Sequence, residues 1–175
     1  KQTQKLLAFY KPVGVTCTER DPHAEKKIMD MIRYPERLTY AGRLDKDSEG
    51  LILLTNDGDL INAMMRGANR HEKEYIVKTD KEITPDFLEK MAKGIYLKDL
   101  DITTRECEIE QIGKFTFRIV LTQGVNRQIR RMCEACGYRV KALKRIRIMN
   151  ILLGDLKPGK WREITGEELE QLQRD

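Results

Sequence analysis

A chain of 175 residues, 40% hydrophobic and 35% charged, can bury the core of one domain or of two small lobes. No apolar run approaches the roughly 18 to 20 residues of a membrane span, and the N-terminus lacks the basic-then-apolar layout of a signal peptide, so a cytoplasmic protein is expected. The net charge of +5 is modest, which excludes neither an enzyme nor a binding module.

The first expected element is a short apolar strand over Lys5 to Tyr10, ended by Lys11-Pro12 and Gly14, with a second extended piece at Val15 to Thr18. Ala24 to Ile32 carries Ile28, Met29, Met31 and Ile32 at helical spacing, and a short strand follows at Leu38 to Tyr40. Leu51 to Thr55 reads as a buried strand, Asn56-Asp57-Gly58 as a turn, and Asp59 as the start of a helix running to Met65. Glu74 to Thr79 is β-rich. Thr84 can cap a helix that starts at Pro85 and closes at Gly94. Ile102 to Ile109 and Phe115 to Leu121 alternate as half-buried strands. Val125 to Cys136 reads as a helix stopped by Gly137, with Ile129, Met132, Cys133 and Cys136 as its apolar stripe. Tyr138 to Leu153 holds one or two strands, Pro158-Gly159 turns the chain, and Thr165 with Glu168 forms a capping box for a last helix.

Strands outnumber helices without alternating regularly with them. The pattern points to an α+β fold, a mixed, mostly antiparallel sheet with flanking helices. One domain over residues 1–175 is expected, with a lobe boundary near Asp80 to Thr84. The opening residue is Lys1, so a fragment of a longer protein is expected.

Charge is unevenly spread. Between Val125 and Asn150, the eight basic residues Arg127, Arg130, Arg131, Arg139, Lys141, Lys144, Arg145 and Arg147 face Glu134 alone, a net +7 that leaves −2 for the rest of the chain. Such a concentration suggests a polyanionic partner, since Lys and Arg that neutralise phosphates release condensed counterions; a solvated charged face is the plainer alternative. Cys133 and Cys136 form a CxxC, but with no second pair, and with His23 and His71 as the only histidines, core packing is expected there rather than a metal.

The stretch AGRLDKDSEGLILLTNDGDL, Ala41 to Leu60, sets Asp45 behind Gly42, Arg43 and Leu44 in a turn that runs into Leu51 to Leu54. Taken alone, Asp45 reads as a structural turn aspartate. A calcium loop fits poorly: Asp45, Asp47, Glu49 and Gly50 mimic its first half, but Asn56 stands where a bidentate Glu belongs, and no metal is expected. The string GRLDKDSEGLILLTNDG resembles the signature of the RsuA-type pseudouridine synthases, which isomerise uridine in RNA with one essential aspartate. Further segments in the same order extend the resemblance from about Leu6 to Leu172: HEKEYIV at His71 to Val77, TQGVNRQIRRMC at Thr122 to Cys133, and ALKRIRIMNILLGDLKPGKWREIT at Ala142 to Thr165. HEKEYIV, NRQIRRMC and KRIRIMN look most like the RluF subgroup, which modifies large-subunit ribosomal RNA.

The resemblance implies Asp45 as the essential aspartate, Tyr75 as the residue that stacks on the target base, and Arg130 as the basic partner of the aspartate. It suggests that Arg43 helps hold RNA open around the uridine, a plain phosphate contact being the rival reading, and that Leu143 packs under the base, with core packing as its rival. Arg127, Arg131, Lys141, Lys144, Arg145 and Arg147 are the expected RNA-binding residues. The S4 RNA-binding domain that precedes the catalytic region in such enzymes is expected to be absent from this chain. Expected, then, is a monomeric, cofactor-free enzyme acting on ribosomal RNA, 23S above all. The alternatives are a synthase for transfer RNA and a non-catalytic RNA-binding or ribosome-assembly module. Whether the aspartate attacks the sugar or serves there as a base stays open.

Overall fold

The computed structural model describes residues 4–17, 28–60, 62 and 71–174, and the chain divides into two compact units, residues 1–67 with 145–175 and residues 68–144. Among the described residues no helix is long and apolar enough to cross a membrane.

In the first unit, β1 (Leu6–Lys11) lies antiparallel between β3 (Glu49–Thr55) and the late strand β11 (Trp161–Glu163), and β2 (Thr39–Ala41) pairs with the far half of β3. Both faces of these strands are buried. Leu6, Ala8, Tyr10, Leu51 and Leu53 join one cluster with Leu60, Ile151, Ile164 and Leu172, while Leu7, Phe9, Ile52 and Leu54 join another with Val15, Cys17, Ile28 and Leu38. That two-sided burial is why LLAFY and LILL are continuous apolar runs instead of alternating ones.

Helix α1 (Ile28–Met31) falls within the expected Ala24 to Ile32 helix, with Ile32 just past its end and residues 24–27 outside the described set; in the extended piece expected at Val15 to Thr18, Thr16 forms a bridge, and Thr18 lies outside the described residues. The helix expected from Asp59 begins at 58, because Asp57 is its cap: Asp57 Oδ1 accepts from the amides of Asp59 (2.9 Å) and Leu60 (3.4 Å). Helix α4 (Gly166–Arg174) closes the unit. The reciprocal capping box expected there yields to a stronger bond, since the Glu168 carboxylate accepts both guanidinium arms of Arg162 at 2.8 Å.

The second unit sets β4 (Lys73–Thr79) antiparallel to β8 (Thr116–Leu121), and β8 antiparallel to β7 (Glu108–Gly113). The strand expected over Ile102 to Ile109 is broken: Ile102–Thr103 (β6) pairs with Tyr96–Leu97 (β5), and β7 starts afresh at Glu108. Helix α2 (Pro85–Lys93) has the expected cap, with Thr84 Oγ1 accepting from the Phe87 amide at 3.1 Å. Helix α3 (Gln128–Ala135) starts later than its pattern suggests, because Arg127 takes a left-handed conformation at φ 51°. Val77, Phe117, Ile119, Phe87, Met91, Ile129, Met132 and Cys133 form the core of this unit. Strand β9 (Val140–Ile148) leaves the second unit at Lys144 and enters the first at Arg145, where its end pairs with β10 (Ile151–Leu152).

All four cysteines are free thiols. Burial raises Cys107 to about 11 and Cys133 to about 12. A thiol raised in the folded chain keeps its proton while the unfolded chain releases it from pH 9 upward. Its contribution to stability is therefore complete below pH 9 and lost as pH climbs toward 11 and 12. Lys11, lowered to about 8 by burial, acts in the opposite sense, because between its folded value and 10.5 the unfolded chain binds more protons. The urea midpoint of Cys133→Ala should therefore fall less steeply between pH 9 and 11 than that of the wild type; parallel profiles would remove Cys133 from the alkaline loss.

Candidate active site

The segment from Gly42 to Ser48 joins β2 to β3, and four consecutive residues of it are held through their backbone. Arg43 O accepts from Arg145 Nη1 at 3.4 Å. Leu44 is latched at both ends by Cys17, whose Sγ donates to Leu44 O at 3.1 Å and accepts from Leu44 N at 3.4 Å. Asp45 O accepts from the Ser48 amide at 3.1 Å, closing a tight turn. Lys46 O accepts from the Gly14 amide at 2.8 Å and from Lys11 Nζ at 3.4 Å. Asp45 is thus a half-buried carboxylate on a backbone fixed from both sides. Such preorganisation is what chemistry at a fixed atom needs, because reorienting a loose group adds to the barrier.

Two of these anchors escaped the sequence reading. Lys11 is the last residue of β1 and fully buried, its ammonium donating to Pro12 O and Val15 O at 2.7 Å each. Carbonyl dipoles replace water around that cation, and burial still lowers its pKa to about 8. Its signal was a cation directly after five apolar residues. Cys17 is buried, and burial raises its thiol. Nothing in its sequence context marks it.

In the second unit, Tyr75 lies on β4 opposite Ile119 of β8, half-buried against the core. Its neighbour Glu74 pairs with Arg118 at 3.3 Å, and Arg118 also binds Glu110 at 3.2 Å and Glu108, so three carboxylates fix this part of the sheet. Arg130 is half-buried on α3, with its Nε fully covered. Beside it, the buried Gln128 donates to Gln123 Oε1 at 3.2 Å and tethers the preceding loop. Asp45 belongs to the first unit, Tyr75 and Arg130 to the second.

The basic window is not one surface. Arg43, Arg127 and Lys141 are exposed, Lys144 and Arg131 half-buried, and Arg147 half-buried with Nη1 on Met149 O at 2.8 Å. Arg145 departs from the expectation of a phosphate contact: it is 2% exposed, and its Nε donates to Leu51 O at 2.8 Å. Leu143, 6% exposed, packs in the core of the second unit, which is the plainer of its two readings.

The family model described as RNA pseudouridylate synthase matches residues 5–135. Dual-specificity RNA pseudouridine synthase RluF of Escherichia coli (strain K12) is 48% identical over 164 residues, which are 94% of this chain and 56% of that protein. Ribosomal large subunit pseudouridine synthase B of Vibrio cholerae is 33% identical over 177 residues, covering 96% of this chain and 54% of that one. The chain therefore spans about half the length of these curated relatives. A crystal structure of a pseudouridylate synthase matches 98% of this chain and 75% of its own at a TM-score of 0.90 and 28% identity. With the model matched over most of its length, the chain belongs to the RNA pseudouridylate synthase family.

Proposed function

We propose that this chain converts uridine to pseudouridine in RNA, with Asp45 acting at the sugar and large-subunit ribosomal RNA as its substrate, as a monomer in the cytoplasm. The observation that carries the reading is the loop around Asp45, anchored at Arg43, Leu44, Asp45 and Lys46 in turn. A turn aspartate that only capped amides would not call for two buried cations and a thiol around its backbone.

Isomerisation breaks the C1'–N1 bond, turns the freed uracil, joins C5 to C1' and releases the proton on C5. No oxidant, reductant or outside nucleophile enters. A carboxylate serves either by attacking C1' or by taking a proton from the ribose, and both routes begin from its ionised form. The family resemblance supplies the remaining roles: Arg130 as counter-charge for the carboxylate, Tyr75 as a flat face for the extruded base with a phenol near C5. The Escherichia coli relative is named a dual-specificity synthase, and transfer RNA is the second substrate class to test.

The test maps new pseudouridines by carbodiimide-blocked primer extension after incubating the chain with unmodified ribosomal and transfer RNA transcripts. New stops in the ribosomal transcript are expected. Stops in neither transcript, with RNA still bound, would leave a binding module as the better reading. Tyr75→Phe in the same assay keeps the stacking face and loses the phenol, so it should bind RNA normally and complete product at least about 100-fold more slowly, the scale of a lost acid or base. Wild-type rates would confine Tyr75 to packing.

A further inference from the structure

Burying a guanidinium is costly unless its N–H groups find acceptors, and Arg145 is 2% exposed. The acceptors it finds are neutral backbone carbonyls, Leu51 O at 2.8 Å for Nε and Arg43 O at 3.4 Å for Nη1. These carbonyls bracket the Asp45 segment, one on each side of it in the chain. A planar fork reaches both at once, as a point-like ammonium cannot. The root of the side chain is fixed as well: Gly50, at φ +117°, lets the Arg145 backbone approach so closely that a Cβ at position 50 would stand 2.3 Å from Arg145 O. Nη2 is buried with no hydrogen-bond partner among the described residues.

We propose that Arg145 is a positioning residue for the Asp45 carboxylate, clamping the carbonyls of Arg43 and Leu51 and so setting where the loop presents its aspartate. The proposal rests on the reading of Asp45 as the acting group. It assigns Arg145 to catalysis through the loop, without contact to RNA.

Arg145→Lys and Arg145→Gln, with Asp45→Asn as control, test it in the full chain on an unmodified large-subunit ribosomal RNA transcript. Lys retains the charge but cannot span both carbonyls. It should lower the single-turnover rate at saturating RNA by about 100-fold, the scale of an ångström-sized misplacement. RNA affinity and its salt dependence should stay as in the wild type, and hydrogen exchange should quicken at the Leu44 and Ser48 amides. Weaker binding with a shallower salt slope and an unchanged rate would make Arg145 a phosphate contact. A rate loss that merely follows the folded fraction, or failure of both variants to fold, would make it a plain staple of the fold. Either result overturns the proposal. Turnover by Asp45→Asn, or a wild type that leaves the transcript unmodified, would instead sink the catalytic reading of Asp45. The exchange rates at Leu44 and Ser48 would still decide whether Arg145 holds the loop.

Discussion

Asp45→Asn should abolish pseudouridine formation, lowering turnover by more than about 10⁴-fold, the scale seen when a residue at the centre of covalent or base chemistry is removed. The fold should survive, because the anchors of the loop run through its backbone: the carbonyl of Asp45 holds Ser48, and its neighbours hold Arg145, Cys17, Gly14 and Lys11. Asn fills the same space and leaves those bonds in place. RNA binding should not weaken either, since the change removes a negative charge from a surface that faces a polyanion. Thermal melting, filter binding and single-turnover assays on one preparation separate the three quantities. Measurable turnover by the variant would remove Asp45 from the mechanism, and collapse of the melting temperature would return it to the role of a turn residue.

Much of the fold was legible because its cause is local. Thr84 followed by Pro85 is a cap and a first helical residue whatever surrounds them, and both act as read. LLAFY and LILL announce strands buried on both faces. The misses come from competition that one sequence does not display. Asp57 and Asp59 are equally good caps on paper, and Asp57 prevails because its carboxylate reaches two amides. Thr165 with Glu168 has the spacing of a capping box, yet Arg162 offers the carboxylate a charge-assisted pair that a backbone amide cannot match. Counting charges in a window misled for Arg145, since a window ignores which face of a strand each residue occupies. Period two would have flagged it: Arg145 follows Leu143 by two residues on β9, and both are buried. A motif singles out Asp45, but the residues that hold its loop, Cys17 and Lys11, come from other strands and turns, where only the folded chain brings them to Leu44 and Lys46.

Replacing Arg130 and Arg131 one at a time should give opposite results, although the two are adjacent. On a helix consecutive side chains point about 100° apart, so one fork cannot take the other's place. Arg131 is already committed beside its own helix start: Nε donates to Asn126 O at 2.9 Å, Nη2 to Asn126 Oδ1 at 3.4 Å, and Nη1 lies 3.9 Å from Asp99. Arg130 has its Nε covered on the same helix and is the residue the family resemblance pairs with the aspartate. Arg130→Ala should therefore cost about 100- to 1,000-fold in single-turnover rate, the scale of one removed electrostatic partner, with Lys restoring a part through charge alone. Arg131→Ala should leave the rate near that of the wild type and show its effect in a slightly lower melting temperature, since it loosens only the turn at Asn126. If Arg131→Ala were dead and Arg130→Ala active, the register within RQIRR would shift by one, and Asn126 would have to be held by something other than the guanidinium that now binds it.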